Sequence, residues 1–246
     1  MVESVSSVAV VIGPTAAGKT AAAMALQDLL GGPDKAQLIS ADSALVYRGM
    51  DIGTAKPSAS ELQQYPHQLL DIRDPSEPYS AADFVRDADA VIHTALQQGK
   101  TPIIVGGTML YVQRFVRGIA ELPSADPALR EHLQQQLQQH GALAMHQRLV
   151  QFDAAAAAKI HPNNHQRLLR ALEVIEATGK SMSSQWQNAN SGGAEQRLPI
   201  KLVTAAVVPE QREVLHAQIA TRFDAMLRSG FVAVSYTHLT LPTTYT

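Results

Sequence analysis

The run Gly13-Pro14-Thr15-Ala16-Ala17-Gly18-Lys19-Thr20 has the residue types and the spacing to hold a phosphate. Glycines let successive backbone N–H groups curl around phosphate oxygens, and the helix that follows adds the positive end of its dipole. In that arrangement Lys19 reaches the terminal phosphate and Thr20 offers its hydroxyl to Mg²⁺. The loop by itself does not say which phosphate ester is bound. Enzymes that hydrolyse a nucleotide on such a loop usually end another strand in a Mg²⁺-ordering Asp. Here Ile103-Ile104-Val105 runs into Gly106-Gly107-Thr108 instead, and no Asn-Lys-x-Asp segment for guanine occurs. The candidate acid is Asp42, just past Leu38-Ile39-Ser40. Ligands of open α/β sheets sit at the carboxyl ends of strands, so Asp42 and Thr108 are both expected to face the phosphate loop. Each also has a plain structural reading: Asp42 as a turn residue or cap, Thr108 as the N-cap of the next helix.

These residues need a scaffold, and the flanking sequence supplies one. Val8 to Ile12 is a continuous apolar, β-branched run, the signature of a buried parallel strand. Thr20 to Leu30 is rich in helix formers and stops at Gly31-Gly32-Pro33. Leu38 to Ser40 is a second strand, and residues 43–79 read as a long, irregular, Pro- and Gly-punctuated stretch. Ser80 caps a helix that runs to Gln98, with Asp83 at N3. Pro102 to Val105 is a third strand, followed by a helix over 108–116. Strand and helix alternating at this spacing predict an α/β fold, a parallel sheet flanked by helices.

Near Pro123 the character changes. Residues 126–187 are rich in Gln, Ala, Leu and His with helical periodicity, and Leu129, Leu133 and Leu137 share one face. This predicts an all-helical insertion over 123–195, inside a core formed by 1–122 and 196–234. Strand 200–208 and helix 210–229 resume the sheet after Ser191-Gly192-Gly193. Five of the nine histidines fall between His132 and His165, without metal-ligand spacing. Residues 235–246 lose helical period and turn abruptly to Thr and Tyr, so they read as a tail foreign to the rest of the chain.

Composition excludes some classes and leaves others open. Among 246 residues, 46% are hydrophobic and none is Cys, which removes disulfides and thiolate metal sites. No secretory leader and no apolar run of about 20 residues occurs, which points to a cytoplasmic protein without membrane attachment. The net charge of −2 carries no overall nucleic-acid footprint.

Longer segments add a resemblance. Gly13 to Thr20 is joined by Ser-Ala-Asp-Ser-Ala-Leu-Val-Tyr-Arg-Gly-Met-Asp-Ile-Gly-Thr-Ala-Lys-Pro over 40–57 and Pro-His-Gln-Leu-Leu-Asp-Ile-Arg-Asp-Pro over 66–75. Tyr79 to Phe84, Val-Gly-Gly-Thr-Met-Leu-Tyr over 105–111 and Ile-His-Pro-Asn-Asn-His-Gln-Arg-Leu-Leu-Arg-Ala-Leu-Glu-Val over 160–174 complete the set. Together they resemble the bacterial tRNA dimethylallyltransferase family, from the phosphate loop to about Phe231. The resemblance implies that a dimethylallyl group moves from its diphosphate to the N6 amine of the adenosine 3′ of the anticodon. The loop would then hold dimethylallyl diphosphate, with Mg²⁺ on Thr20. It implies catalytic roles for Asp42 as general base, Thr108 as its companion and Arg222 as a further diphosphate contact. It implies tRNA contacts at Asp42, Ser43, Ala44, Leu45, Thr108, Arg130, Gln166, Arg167, Leu168, Leu169 and Arg170, in a protein acting as a monomer. It also implies further helices beyond the one carrying Arg222, where this chain has its Thr/Tyr tail. From the residues alone, Arg222 reads equally as a surface arginine, and Arg167 with Arg170 as a solvated basic face. The alternative activity is that of a P-loop small-molecule kinase using ATP.

Overall fold

A computed structural model describes residues 5–118, 126–188 and 192–238. The expected boundary residues Pro123 and Ser191 and the tail residues 239–246 lie outside these. The chain divides into two compact units, Met1–Val116 with Ala194–Thr246, and Arg117–Gly193.

The first unit is built on five parallel strands in the order β3-β2-β4-β1-β5. In chain order its elements are β1 (Ser6–Ile12), α1 (Lys19–Leu29), β2 (Ala36–Ser40), α2 (Ala59–Gln64), β3 (His67–Gln68), α3 (Ala81–Gln97), β4 (Thr101–Gly106) and α4 (Met109–Arg117). The central strands are apolar on both faces because helices cover both. Val11, Leu38, Ile103 and Val105 pack with Ala23, Met24 and Leu26 of α1. Each burial of such a side chain is worth about 1.5–3 kcal/mol. The capping box expected at the start of α3 is present: Ser80 accepts from the Asp83 amide, and Asp83 accepts from the Ser80 amide.

The stretch 43–79 is more ordered than its composition suggests. It holds α2, closed by a second capping box between Ser58 and Glu61, and β3, which adds the edge strand beside β2. Buried Lys56 ties its turns together, pairing with Asp51 and Asp71 and donating to the Tyr47 carbonyl.

The second unit contains α5 (Pro127–Phe152), α6 (Ala154–Ala157), α7 (His165–Thr178) and α8 (Met182–Asn188). Helical periodicity concealed one feature. Gly141, at φ 78° and ψ 163°, breaks α5 into two segments. A straight helix would separate residues 136 and 148 by about 18 Å, yet Arg148 donates to Gln136 at 2.7 Å. The two segments therefore fold back on each other, and Leu133, Met145 and Leu149 meet Leu168 and Leu172 in a common core.

The chain then continues in the first unit with α9 (Ala194–Arg197), β5 (Ile200–Ala206), α10 (Arg212–Arg228) and α11 (Phe231–His238). Arg197 grips Asp89 through two nitrogens, at 2.8 and 3.1 Å, and stacks on Phe115. Residues 235–238, expected to lack helix, complete α11. Phe231 starts that helix against the edge of Phe223, directly above Gly53, where a Cβ would lie 2.3 Å from its ring. No helix of the described residues is long and apolar enough to cross a membrane.

Candidate functional site

The loop between β1 and α1 closes over the carboxyl end of the sheet. Its shape is set by close approach and by left-handed backbone. A Cβ on Gly13 would lie 2.2 Å from the Val207 carbonyl oxygen, so only glycine fits there. Ala16 and Gly18 take φ 64° and 88°, and Gly18 is the N-cap of α1 without a side-chain cap. The first amides of α1 therefore stay available to an anion. An alanine held in the left-handed region costs about 1 kcal/mol, which marks a conformation retained for more than packing.

Next to the loop, β2 and β4 end side by side. Ala41 donates to the Val105 carbonyl at 2.8 Å, and a Cβ on Gly106 would lie 2.1 Å from the Ala41 oxygen. This contact explains why β4 ends in glycine where a nucleotide-hydrolysing site would carry Asp. It also delivers Asp42 and Thr108 to the same place. Asp42 Oδ1 accepts from the amides of Ala44 at 2.9 Å and Leu45 at 3.3 Å. Its Oδ2 accepts no hydrogen bond among the described residues. Asp42 is thus both a turn residue and a carboxylate with a second oxygen to offer. Thr108 does not spend its hydroxyl on capping α4. It accepts from the Ser43 amide at 2.9 Å and shares a hydrogen bond with the Ser43 hydroxyl at 3.2 Å.

A cavity of about 230 Å³ opens between these groups. Thr15, Lys19, Thr20, Asp42, Ser43, Leu45, Thr108 and Arg222 all line it. Arg222 reaches it from α10 and donates to the Thr54 carbonyl at 3.3 Å, so its place is in the site and not on a bare helix surface. Lys19 donates to the Pro14 carbonyl at 2.6 Å. Burial lowers the Lys19 pKa, Asp42 raises it, and Arg222 lowers it again. Two cations and one carboxylate therefore face a single space, a field that favours a multiply charged anion. Thr20, Ser40 and Asp42 contribute hard oxygens to the same wall, the ligand type Mg²⁺ takes.

The sequence reading missed Ser40, Thr54 and His67, which line this cavity as well. Ser40 is buried at the end of β2. His67 sits on a strand of two residues that no periodicity announces.

In the helical unit the expected RNA contacts separate into three kinds. Gln166 and Arg167 are exposed near the start of α7. Leu168 and Leu169, also expected as RNA contacts, are buried in the core of the unit, where their side chains hold the helices together. Arg130 and Arg170 converge on Glu173, which is 2% exposed and also accepts the Asp126 amide. The distances are 3.4 Å from Arg130 and 3.0 Å from Arg170. Arg167 and Arg170 are therefore not equivalent, since the second neutralises a buried carboxylate.

Comparison with known proteins follows the same lines. A family model described as IPP transferase matches residues 45–235. A tRNA dimethylallyltransferase of Chromohalobacter salexigens is 54% identical over 220 residues, spanning 89% of this chain and 68% of that protein. The crystal structure of the full-length tRNA isopentenylpyrophosphate transferase from Bacillus halodurans shares 36% identity, with a TM-score of 0.59. That match covers 96% of this chain and 72% of the other. A eukaryotic dimethylallyltransferase captured acting on tRNA shares 25% identity at a TM-score of 0.77, over 97% of this chain and 57% of its own.

Proposed function

Because the chain belongs to the IPP transferase family, we propose that it moves a dimethylallyl group from dimethylallyl diphosphate to the N6 amine of the adenosine 3′ of a tRNA anticodon. The observation that carries the reading is the convergence of Lys19, Asp42, Thr108 and Arg222 on one cavity at the carboxyl end of the sheet.

The donor's diphosphate lies in the loop, against the amides of α1, with Lys19 and Arg222 as its cations. As the allylic C–O bond breaks, negative charge builds on the departing diphosphate and positive charge on the dimethylallyl carbon. Groups already fixed around the diphosphate stabilise that charge without reorganising. The amine nitrogen attacks the carbon, the C–N bond forms, and the nitrogen must lose a proton. Asp42 Oδ2 receives it as general base, while Oδ1 stays anchored to the Ala44 and Leu45 amides. Thr108 holds Ser43 and so fixes the loop that carries Asp42. Thr20, with Ser40 and Asp42 nearby, has the oxygen donors to hold Mg²⁺. When bound, that ion supplies further neutralisation of the leaving diphosphate.

The adenosine must leave its stack to reach the cavity, and bases of a single-stranded loop cost least to extrude. Ser43, Ala44 and Leu45 at the cavity rim meet it there. Gln166 and Arg167 of the helical unit, with Arg130 beside them in role, contact the backbone of the anticodon stem-loop. The protein acts as a monomer in the cytoplasm.

The test is transfer of label from dimethylallyl diphosphate to an anticodon stem-loop. Adenosine at the target position accepts the label, and a stem-loop with purine riboside there, which lacks the amine, does not. Equal labelling of both would refute the reading.

A further inference from the structure

His67 is the one lining residue whose chemistry runs against the rest of the cavity. Its Nδ1 lies 2.7 Å from the Tyr65 carbonyl oxygen. A carbonyl only accepts, so Nδ1 carries the proton, and in the neutral ring Nε2 carries a lone pair. Burial pushes the ring's pKa below its ordinary value, against the opposing pull of the Tyr65 carbonyl and Glu61. Nε2 is buried and has no hydrogen-bond partner among the described residues. A buried unpaired acceptor costs about 1–3 kcal/mol, so its retention asks for a donor.

The register says on which face of the sheet the ring stands, and the ring lines the same cavity as Thr20. His67 pairs with Leu38 of β2, and Ser40 lies two residues further along the same face. Leu38 packs on Ala23 and Met24 of α1, so this is the face that α1 covers. His67 therefore stands on the α1 side of the cavity, about 7 Å short of the Ser40 level, on the side where Thr20 opens α1. A phosphate oxygen placed against Nε2 would face lone pair with lone pair. The donor substrate has no N–H to offer. A water polarised by a cation presents hydrogens only. Among the described residues no group of three His, Asp or Glu is placed to hold a metal. A cation on Thr20 would therefore keep several waters, as Mg²⁺ prefers.

We infer that His67 is a positioning residue for the cation of the diphosphate site: its Nε2 accepts a hydrogen bond from a water on Mg²⁺ held at Thr20. The inference rests on the diphosphate reading of the cavity. It assigns to a histidine on a two-residue strand the outer-sphere role that acidic residues fill in other phosphate loops. Partners of this kind typically change metal affinity by about 10- to 100-fold.

The test uses the full chain with inorganic diphosphate as the anion and Mn²⁺ as a spectroscopically visible cation. In His67→Phe, Mn²⁺ binding in the presence of diphosphate weakens by about tenfold or more. In His67→Gln, whose side-chain oxygen can accept in place of Nε2, binding stays near that of the unaltered chain. Diphosphate binding in chelator is the same in all three, and thermal unfolding reports that each is folded. A measurement without substitution stands beside it: with ring-¹⁵N histidine, the Nε2 resonance of His67 shifts when Mg²⁺ joins the diphosphate complex. An unmoved resonance, unchanged Mn²⁺ affinity in His67→Phe, or an equal loss of diphosphate binding in chelator would overturn the inference. Thr20→Val separates the two levels of the argument. If it weakens Mn²⁺ binding while His67→Phe does not, the outer-sphere role alone falls. If neither weakens it, the cation site itself is misplaced and both fall.

Discussion

Replacing Asp42 by Asn separates its anchoring of the turn from the general-base role proposed for it. Asn keeps an oxygen that can accept from the Ala44 and Leu45 amides, at 2.9 and 3.3 Å in the present structure, and Asn suits that turn as well as Asp does. What it loses is basicity at the second oxygen. General-base catalysis contributes about 10²- to 10⁴-fold, equivalent to about 3–5 kcal/mol of barrier. Single-turnover transfer to a saturating stem-loop should slow by that factor. The diphosphate should bind as well or somewhat more tightly, because a carboxylate facing the same space as Lys19 has lost its charge. Asp42→Ala should slow transfer to the same extent and in addition lower the unfolding temperature, since two backbone amides lose their acceptor at about 1 kcal/mol each. Equilibrium binding of dimethylallyl diphosphate, measured beside the single-turnover rate, decides the matter. Parallel loss of binding and rate in Asp42→Asn, or an unchanged rate, would refute the general-base role.

Arg167→Ala should reduce the slope of log binding constant against log salt for the stem-loop by about 1, with unfolding unchanged. Arg170→Ala should instead destabilise the helical unit by about 2 kcal/mol, because it removes a cation 3.0 Å from buried Glu173; thermal unfolding distinguishes the two. Gly106→Ala should cost about 1–3 kcal/mol or more in denaturant unfolding, since its Cβ would meet the Ala41 oxygen at 2.1 Å and part the ends of β2 and β4. His67 adds a pH dependence. Its folded-state pKa lies below its ordinary 6.5, so the unfolded chain takes up that proton first. Stability should therefore fall as pH drops below about 6.5, and His67→Gln should flatten that part of the acid limb of the denaturation midpoint.

The strand, glycine-rich turn and helix over β1 and α1 were legible because three local signals agree there: an apolar β-branched strand, spaced glycines and a strong helix former after Lys19. The start of α3 was legible for the same reason, with Ser80 and Asp83 three residues apart. The same signal stood at Ser58 and Glu61 and announces α2, but the prolines and glycines around it hid it. The break at Gly141 was harder to see, because one glycine in a Gln- and Leu-rich run leaves the period intact on either side. Leu168 and Leu169 lie in a segment that resembles an RNA contact as a whole. Only packing tells which of its side chains turn inward. Arg170 and Glu173 are three apart on α7, a spacing the sequence shows, but Arg130 joins Glu173 from 43 residues away, and that meeting is a tertiary fact without a local trace. His67 is similar: its importance comes from pairing with Leu38, and two strand residues carry no pattern.

The most direct measurement supplies an anticodon stem-loop containing the target adenosine, Mg²⁺, and either labelled dimethylallyl diphosphate or γ-labelled ATP. The account predicts label on the RNA from the prenyl donor alone, at the N6 position after digestion to nucleosides. Label arriving from ATP, with none from the prenyl donor, would contradict it and make the phosphate loop that of a kinase.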